Sequence, residues 1–175
     1  MHMARSSYSS NLISIFVVGT ILCWPLLPAA AADFLLADKI LVEKGKRKLH
    51  LLLNGEAFKT YDIALGVVPN GDKEREGDQK TPEGVYRMDK RNPDSDYFLS
   101  IHISYPNQQE RQEAKRDGVN PGGQIMIHGQ PNEPNYSAAY YGKEDWTNGC
   151  IAVSNSDMID IWLMTPNNVP IEILP

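Results

Sequence analysis

The stretch KLHLLLNGEAFKTYDIAL, residues 48–65, reads as two strands around a tight turn. Asn54–Gly55 is the dipeptide that best tolerates positive φ at both centres of a two-residue hairpin. The returning strand alternates through Phe58, Tyr61 and Ile63, the period of a half-buried strand. Upstream, DKILVEK (38–44) is a third apolar run, and GKR (45–47) turns it into the hairpin. Three strands joined by short turns make a meander, and this opening sets the class of the chain as β.

Further along, residues 66–83 are rich in glycine, proline and charge and read as a loop. Within it DKEREGDQK (72–80) reads as a solvated charge run. TPEGVYRM (81–88) and YFLSIHIS (97–104) return to strand, with Pro82 at an entry where no ladder N–H is needed. PNQQERQEAKRDG (106–118) reads as a short exposed helix, and QIMIHG (124–129) as a buried strand ending at His128. Residues 130–146 form a long loop with Tyr136, Tyr140, Tyr141 and Trp146. Ser154 or Asn155 then caps a helix, with Asp157 in its first turn. Met158, Ile161 and Trp162 follow at core-facing spacing. VPIEIL (169–174) closes the sheet. The expected architecture is mostly β, sandwich-like or curled, with one or two short helices.

Residues 1–32 read differently from the rest. Arg5 supplies a small positive region, LISIFVVGTILC (12–23) is an apolar run, and PAAAAD (28–33) offers small residues for cleavage. The expectation is a secretory signal over 1–32 and one domain over 33–175. The competing reading is an uncleaved anchor, against which Pro25 and Pro28 argue by breaking a long helix. Acylation at Cys23 is disfavoured by the bulky Leu22 before it. Loss of residues 1–32 removes Arg5 and no acid, so the net charge moves from −5 to −6 with histidines neutral. Such a balance argues against a nucleic-acid partner and a basic membrane-binding surface.

Without that signal Cys150, in TNGCIAVSN (147–155), is the one remaining cysteine. A free cysteine is more often a small buried hydrophobe than a nucleophile, and Ile151 and Val153 beside it suit a core. Against this, an unpaired thiol in an oxidising compartment is a liability unless it has a task. It also follows Gly149, which permits a tight turn and close approach of a substrate. A helix predicted just after it would favour the thiolate. The base must be a histidine. His2 leaves with the signal and His50 sits in mid-strand. His102 lacks an adjacent turn, whereas His128 ends a strand with Gly129 following. Histidine before cysteine is the reverse of papain-like and NlpC-type peptidases. A sortase needs a downstream arginine, and nothing after Cys150 is Arg, Lys or His. A zinc set of His102, His128 and Cys150 matches no ligand spacing, so neither metal nor cofactor is expected.

IMIHGQPN (125–132) followed by DWTNGCIAVSN (145–155) resembles the L,D-transpeptidase catalytic domain, the YkuD-like fold. The likeness extends through residues 37–66, 76–88 and 102–107, and so over the whole of 33–175. It implies Cys150 as nucleophile and His128 as general base and acid, with the Gly129 carbonyl orienting the imidazole. It also implies the Gly149 and Cys150 N–H groups as an oxyanion hole. His102, Tyr105, Trp146, Thr147 and Asn148 are further candidates for lining the pocket, with simple packing the competing reading for His102 and Tyr105. Asn148 stands where many members have histidine, and Ala152 where many have arginine; DWT-x-GCIA looks like a subgroup pattern.

The implied substrate is a peptidoglycan stem peptide, cut at its third residue through a thioester. An amine on another stem or on a wall-anchored lipoprotein would then accept the acyl group, or water would. Carbapenem-type inhibitors would acylate the same thiol. The implied location is the periplasm of a Gram-negative bacterium. The alternatives are an L,D-carboxypeptidase or other cysteine amidase on peptidoglycan and, from another class, a non-catalytic wall-binding module.

Overall fold

The computed structural model describes residues 35–175. The secretory signal expected over 1–32 lies outside the described residues. Among those described, no helix is long and apolar enough to cross a membrane.

The hairpin forms as its turn dictates. Strands β2 (Lys48–Leu53) and β3 (Glu56–Asp62) pair antiparallel, and Asn54 and Gly55 take φ of 54° and 85°. Both central residues are left-handed, which matches the twist of the strands they join. β1 (Lys39–Glu43) lies antiparallel to β2, and a 3-10 turn at Lys44–Lys46 links them. Ile40, Val42, Leu49 and Leu51 are fully buried, and half-buried residues stand between the members of each pair. The last strand, β8 (Pro170–Leu174), runs parallel to β1 and antiparallel to β4 (Gly84–Ser95), so it joins the meander to the second half of the sheet.

β5 (Phe98–Ile103), β6 (Met126–His128) and β7 (Ile151–Ala152) complete an eight-stranded sheet of order β3-β2-β1-β8-β4-β5-β6-β7. β3 and β7 stand at opposite ends of that order, yet they meet. Ala64, just after β3, exchanges both backbone hydrogen bonds with Ala152 at 2.8 Å. The Thr147 N–H donates to Leu65 and the Val67 N–H to Thr147, at 3.1 and 3.0 Å. The sheet therefore curls until its two ends are stitched together, and this covers edges that would otherwise be open.

The mostly-β expectation is borne out, with local differences. β4 continues past Met88 to Ser95 through Pro93, because ladder irregularities between Met88 and Lys90 and between Asn92 and Ser95 spare the proline a hydrogen bond it cannot donate. α1 (Gln108–Arg116) starts on a capping box, Asn107 Oδ1 accepting from Glu110 N at 3.1 Å and Glu110 accepting from Asn107 N at 2.6 Å. α2 (Ala138–Tyr141), capped by Ser137, lies inside the segment read as a plain loop. α3 (Asn155–Met164) begins at Ser154, whose Oγ accepts from Asp157 N, and packs on β5. Met158 and Ile161 are fully buried, while Trp162 lies at the margin with the Arg91 guanidinium 4.7 Å over its ring.

Candidate active site

β6 and β7 run parallel, pairing Ile127 with Ile151 and His128 with Ala152. Continued by one residue, this register sets Cys150 opposite Met126, the first residue of β6, two positions before His128. Cys150 and His128 line one cavity of about 350 Å³.

His128 is 4% exposed, and its Nδ1 lies 2.7 Å from the Gly129 carbonyl. A carbonyl only accepts, so Nδ1 carries the proton and Nε2 keeps its lone pair. Burial pushes the imidazole down to about 4, partly opposed by the Gly129 bond. The rings of Tyr97 and Trp146 flank it at 4.6 and 5.6 Å between centroids. A Cβ on Gly129 would come within 2.6 Å of Asn155 Oδ1, which accepts from Gln130 N at 2.8 Å. The first residue of α3 thus pins the turn that holds the histidine.

Cys150 is half-buried, and its thiol points at the Gln124 carbonyl at 3.6 Å. Burial pushes the thiol up; a hydrogen bond from the Met126 backbone and the charge of Lys73 pull the other way. The helix-field expectation is corrected here. β7 intervenes, α3 starts only at Asn155, and the thiol is raised in place of being lowered. Burial thus disfavours the charged form of both the thiol and the imidazole.

Thr147 organises the loop. Its buried hydroxyl donates to the Cys150 carbonyl at 2.8 Å and accepts from the Gly149 N–H at 3.1 Å. Of the two amides expected to form an oxyanion hole, that of Gly149 is engaged by this hydroxyl. The Cys150 N–H makes no hydrogen bond among the described residues and is the donor left of the two. Gly149 itself is required by φ of 122° and by the Lys80 carbonyl, 2.6 Å from where a Cβ would be. The backbone of Lys80, at the end of the 72–80 segment, thus makes a close approach to Gly149. That segment is less solvated than its charges suggested. Lys73 and Asp78 side chains are 4% and 7% exposed and paired at 2.7 Å. Asp78 also accepts from the N–H groups of Glu74, Arg75 and Lys80, and its carboxyl is lowered to about 2 although burial opposes this. The ordered loop walls a second cavity of about 440 Å³ on the other flank of Cys150.

The remaining candidates divide. Trp146, Thr147 and Asn148 line the cavity with Cys150 and His128. His102 and Tyr105 do not. His102 Nδ1 lies 2.7 Å from Asp89 and the ring faces a neighbouring cavity of about 300 Å³. Tyr105 is core, its ring edge-on to Tyr86 and its hydroxyl donating to the Pro121 carbonyl at 3.1 Å.

Sequence reasoning missed four contributors. Asp145 is clamped by Arg47 through Nε and Nη2 at 3.1 and 2.7 Å and accepts from Leu65 N at 2.9 Å. Tyr97, Ser100 and Asn155 are the others. Ser100 had a signal: it is a polar residue in an apolar strand, two positions before His102.

The cavity joins a thiol to a neutral, carbonyl-oriented imidazole on a curled sheet. The family model for the L,D-transpeptidase catalytic domain (YkuD) matches residues 37–173, and the chain belongs to that family. It is 34% identical over 96 residues to "Putative L,D-transpeptidase YafK" of Escherichia coli (strain K12), covering 51% of this chain and 37% of that one. Among solved structures it resembles the helical cell shape determining protein Pgp2 from Campylobacter jejuni, with 28% identity and a TM-score of 0.60 over 77% of this chain and 46% of that one. Bd1075 of Bdellovibrio bacteriovorus matches with 25% identity and a TM-score of 0.54 over the same shares. The chain thus spans less than half the length of each of these three relatives.

Proposed function

We propose that this chain is an exported cysteine acyltransferase acting on peptidoglycan stem peptides, an L,D-transpeptidase of the periplasm. The observation that carries the reading is the shared cavity of Cys150 and His128 with the imidazole held as a base. His128 Nε2 takes the thiol proton as sulfur attacks the carbonyl of the third stem residue. The tetrahedral oxyanion draws on the Cys150 N–H, and collapse breaks the C–N bond. The same imidazole returns its proton to the leaving amine, leaving a thioester. An incoming amine, from another stem or a wall-anchored lipoprotein, then gives a proton to Nε2 and attacks. The C–S bond breaks and the thiolate is reprotonated. A carbapenem enters by the same first step. The resemblance to a protein that determines helical cell shape fits a role in wall remodelling.

Hydrolysis is the second reading, favoured by the cavities on both flanks of Cys150, which leave water a path to the thioester. Incubation with a disaccharide tetrapeptide, followed by mass spectrometry, tests both. The acyl-enzyme mass on Cys150 with release of D-Ala is the expected result, absent in Cys150→Ala. Cross-linked dimers identify transfer and tripeptides alone identify hydrolysis. A folded protein that forms no adduct with either the stem or a carbapenem would falsify the enzyme reading.

A further inference from the structure

Ser100 on β5 pairs with His128 on β6, and His128 pairs with Ala152, two residues after Cys150. Directly opposed residues of an antiparallel pair point to the same face, so the seryl hydroxyl and the imidazole are neighbours. The thiol approaches His128 from the β7 side and Ser100 stands on the β5 side. Ser100 is 1% exposed, yet its Oγ has no hydrogen-bond partner among the described residues. It borders the cavity that holds His128 and Cys150. A second buried polar atom bordering that cavity, Trp146 Nε1, is also unpartnered. Buried hydroxyls are nearly always satisfied, because an orphan forfeits its bonds to water without replacement. Alanine in this place would fill the strand without that cost.

We propose that Ser100 is a substrate-positioning residue that binds the group exchanged at the acyl carbon, on the flank of His128 away from the thiol. The inference rests on the acyl-transfer reading above. In acylation that group is the departing amine; in deacylation it is the incoming water or amine. Microscopic reversibility puts both in one place, because the same Nε2 must give a proton to one and take it from the other. A hydroxyl both donates and accepts, so one serine serves an amine nitrogen and a water oxygen alike. Ser100 holds the group in line with Nε2 and takes no proton itself.

The test compares Ser100→Ala and Ser100→Thr with the unaltered full chain, using a disaccharide tetrapeptide as substrate. For Ser100→Ala, kcat is expected to fall about tenfold with little change in KM, the pattern of an interaction made in the transition state. Ser100→Thr, which keeps the hydroxyl, restores most of it. Alkylation of Cys150 by iodoacetamide, which needs no leaving amine, proceeds at the unaltered rate in both. The melting temperature of Ser100→Ala is not lowered, since no bond is lost. Unchanged turnover in a folded Ser100→Ala protein overturns the inference alone. So does a loss of turnover matched by slower alkylation or lower melting temperature, which marks a packing role. An unaltered chain that releases no D-Ala overturns the acyl-transfer reading and this inference with it.

Discussion

His128 Nδ1 donates to the carbonyl of Gly129, the residue next to it, at 2.7 Å. The orienting group is thus main chain, and among the described residues no carboxylate is hydrogen-bonded to the imidazole. Burial keeps the ring neutral down to about pH 4, against the partial opposition of the Gly129 bond.

The first prediction concerns acid. A base must be unprotonated, so D-Ala release should fall only as pH drops through about 4. The unfolded chain binds that proton near 6.5 and the folded chain does not until about 4. Stability is therefore full above the higher value and declines as pH falls between them, by on the order of 3 kcal/mol at the lower end. An activity profile with its acid limb near 6.5 would contradict this reading. His128→Gln should lower turnover about 10²–10⁴-fold and flatten the stability slope across the same window.

The thiol gives the second. Burial raises it, so the rate of iodoacetamide alkylation should climb with a midpoint above the ordinary thiol value of about 8.5. A plateau extending below neutrality would reveal a preformed thiolate–imidazolium pair and contradict this expectation.

Thr147 supplies the third. Thr147→Val keeps the shape but strands the Gly149 N–H and the Cys150 carbonyl. Loss of about 10–100-fold in kcat/KM is expected, with Thr147→Ser close to the unaltered enzyme. Full activity in Thr147→Val would mean the loop is held by its other contacts.

The fourth is structural. Asp145→Asn weakens a two-pronged ion pair with Arg47, and the expected cost is about 1–3 kcal/mol in denaturant unfolding. Arg47→Met combined with Asp145→Asn should cost less than the sum of the singles, as coupled partners do. Strict additivity would show the pair contributes nothing as a pair.

Much of this was legible in the residues. Asn54–Gly55 announced its turn because positive φ leaves few alternatives, and Ser154 announced its helix because capping is local. His128 and Cys150 were found through motif and isolation, and the structure brings them to one cavity. What escaped depends on distance along the chain. Nothing near Asp145 hints at Arg47, ninety-eight positions earlier. Lys73 and Asp78 looked solvated because sequence shows charge but not the backbone amides that gather around a carboxylate. Gly149 was read as a place of close approach, and Lys80 makes one there.

The stitch between Ala64 and Ala152 has a bearing on how the thiol comes to be placed. The loop that presents the thiol is fixed by residues from the opening meander, from the middle loop and from the segment before α3. These contacts join segments far apart along the chain, and closing such loops costs entropy. The geometry around Cys150 is therefore complete only once contacts from all of these segments have formed. A cysteine at position 150 is thus not enough by itself: the setting of its thiol is a property of the closed sheet.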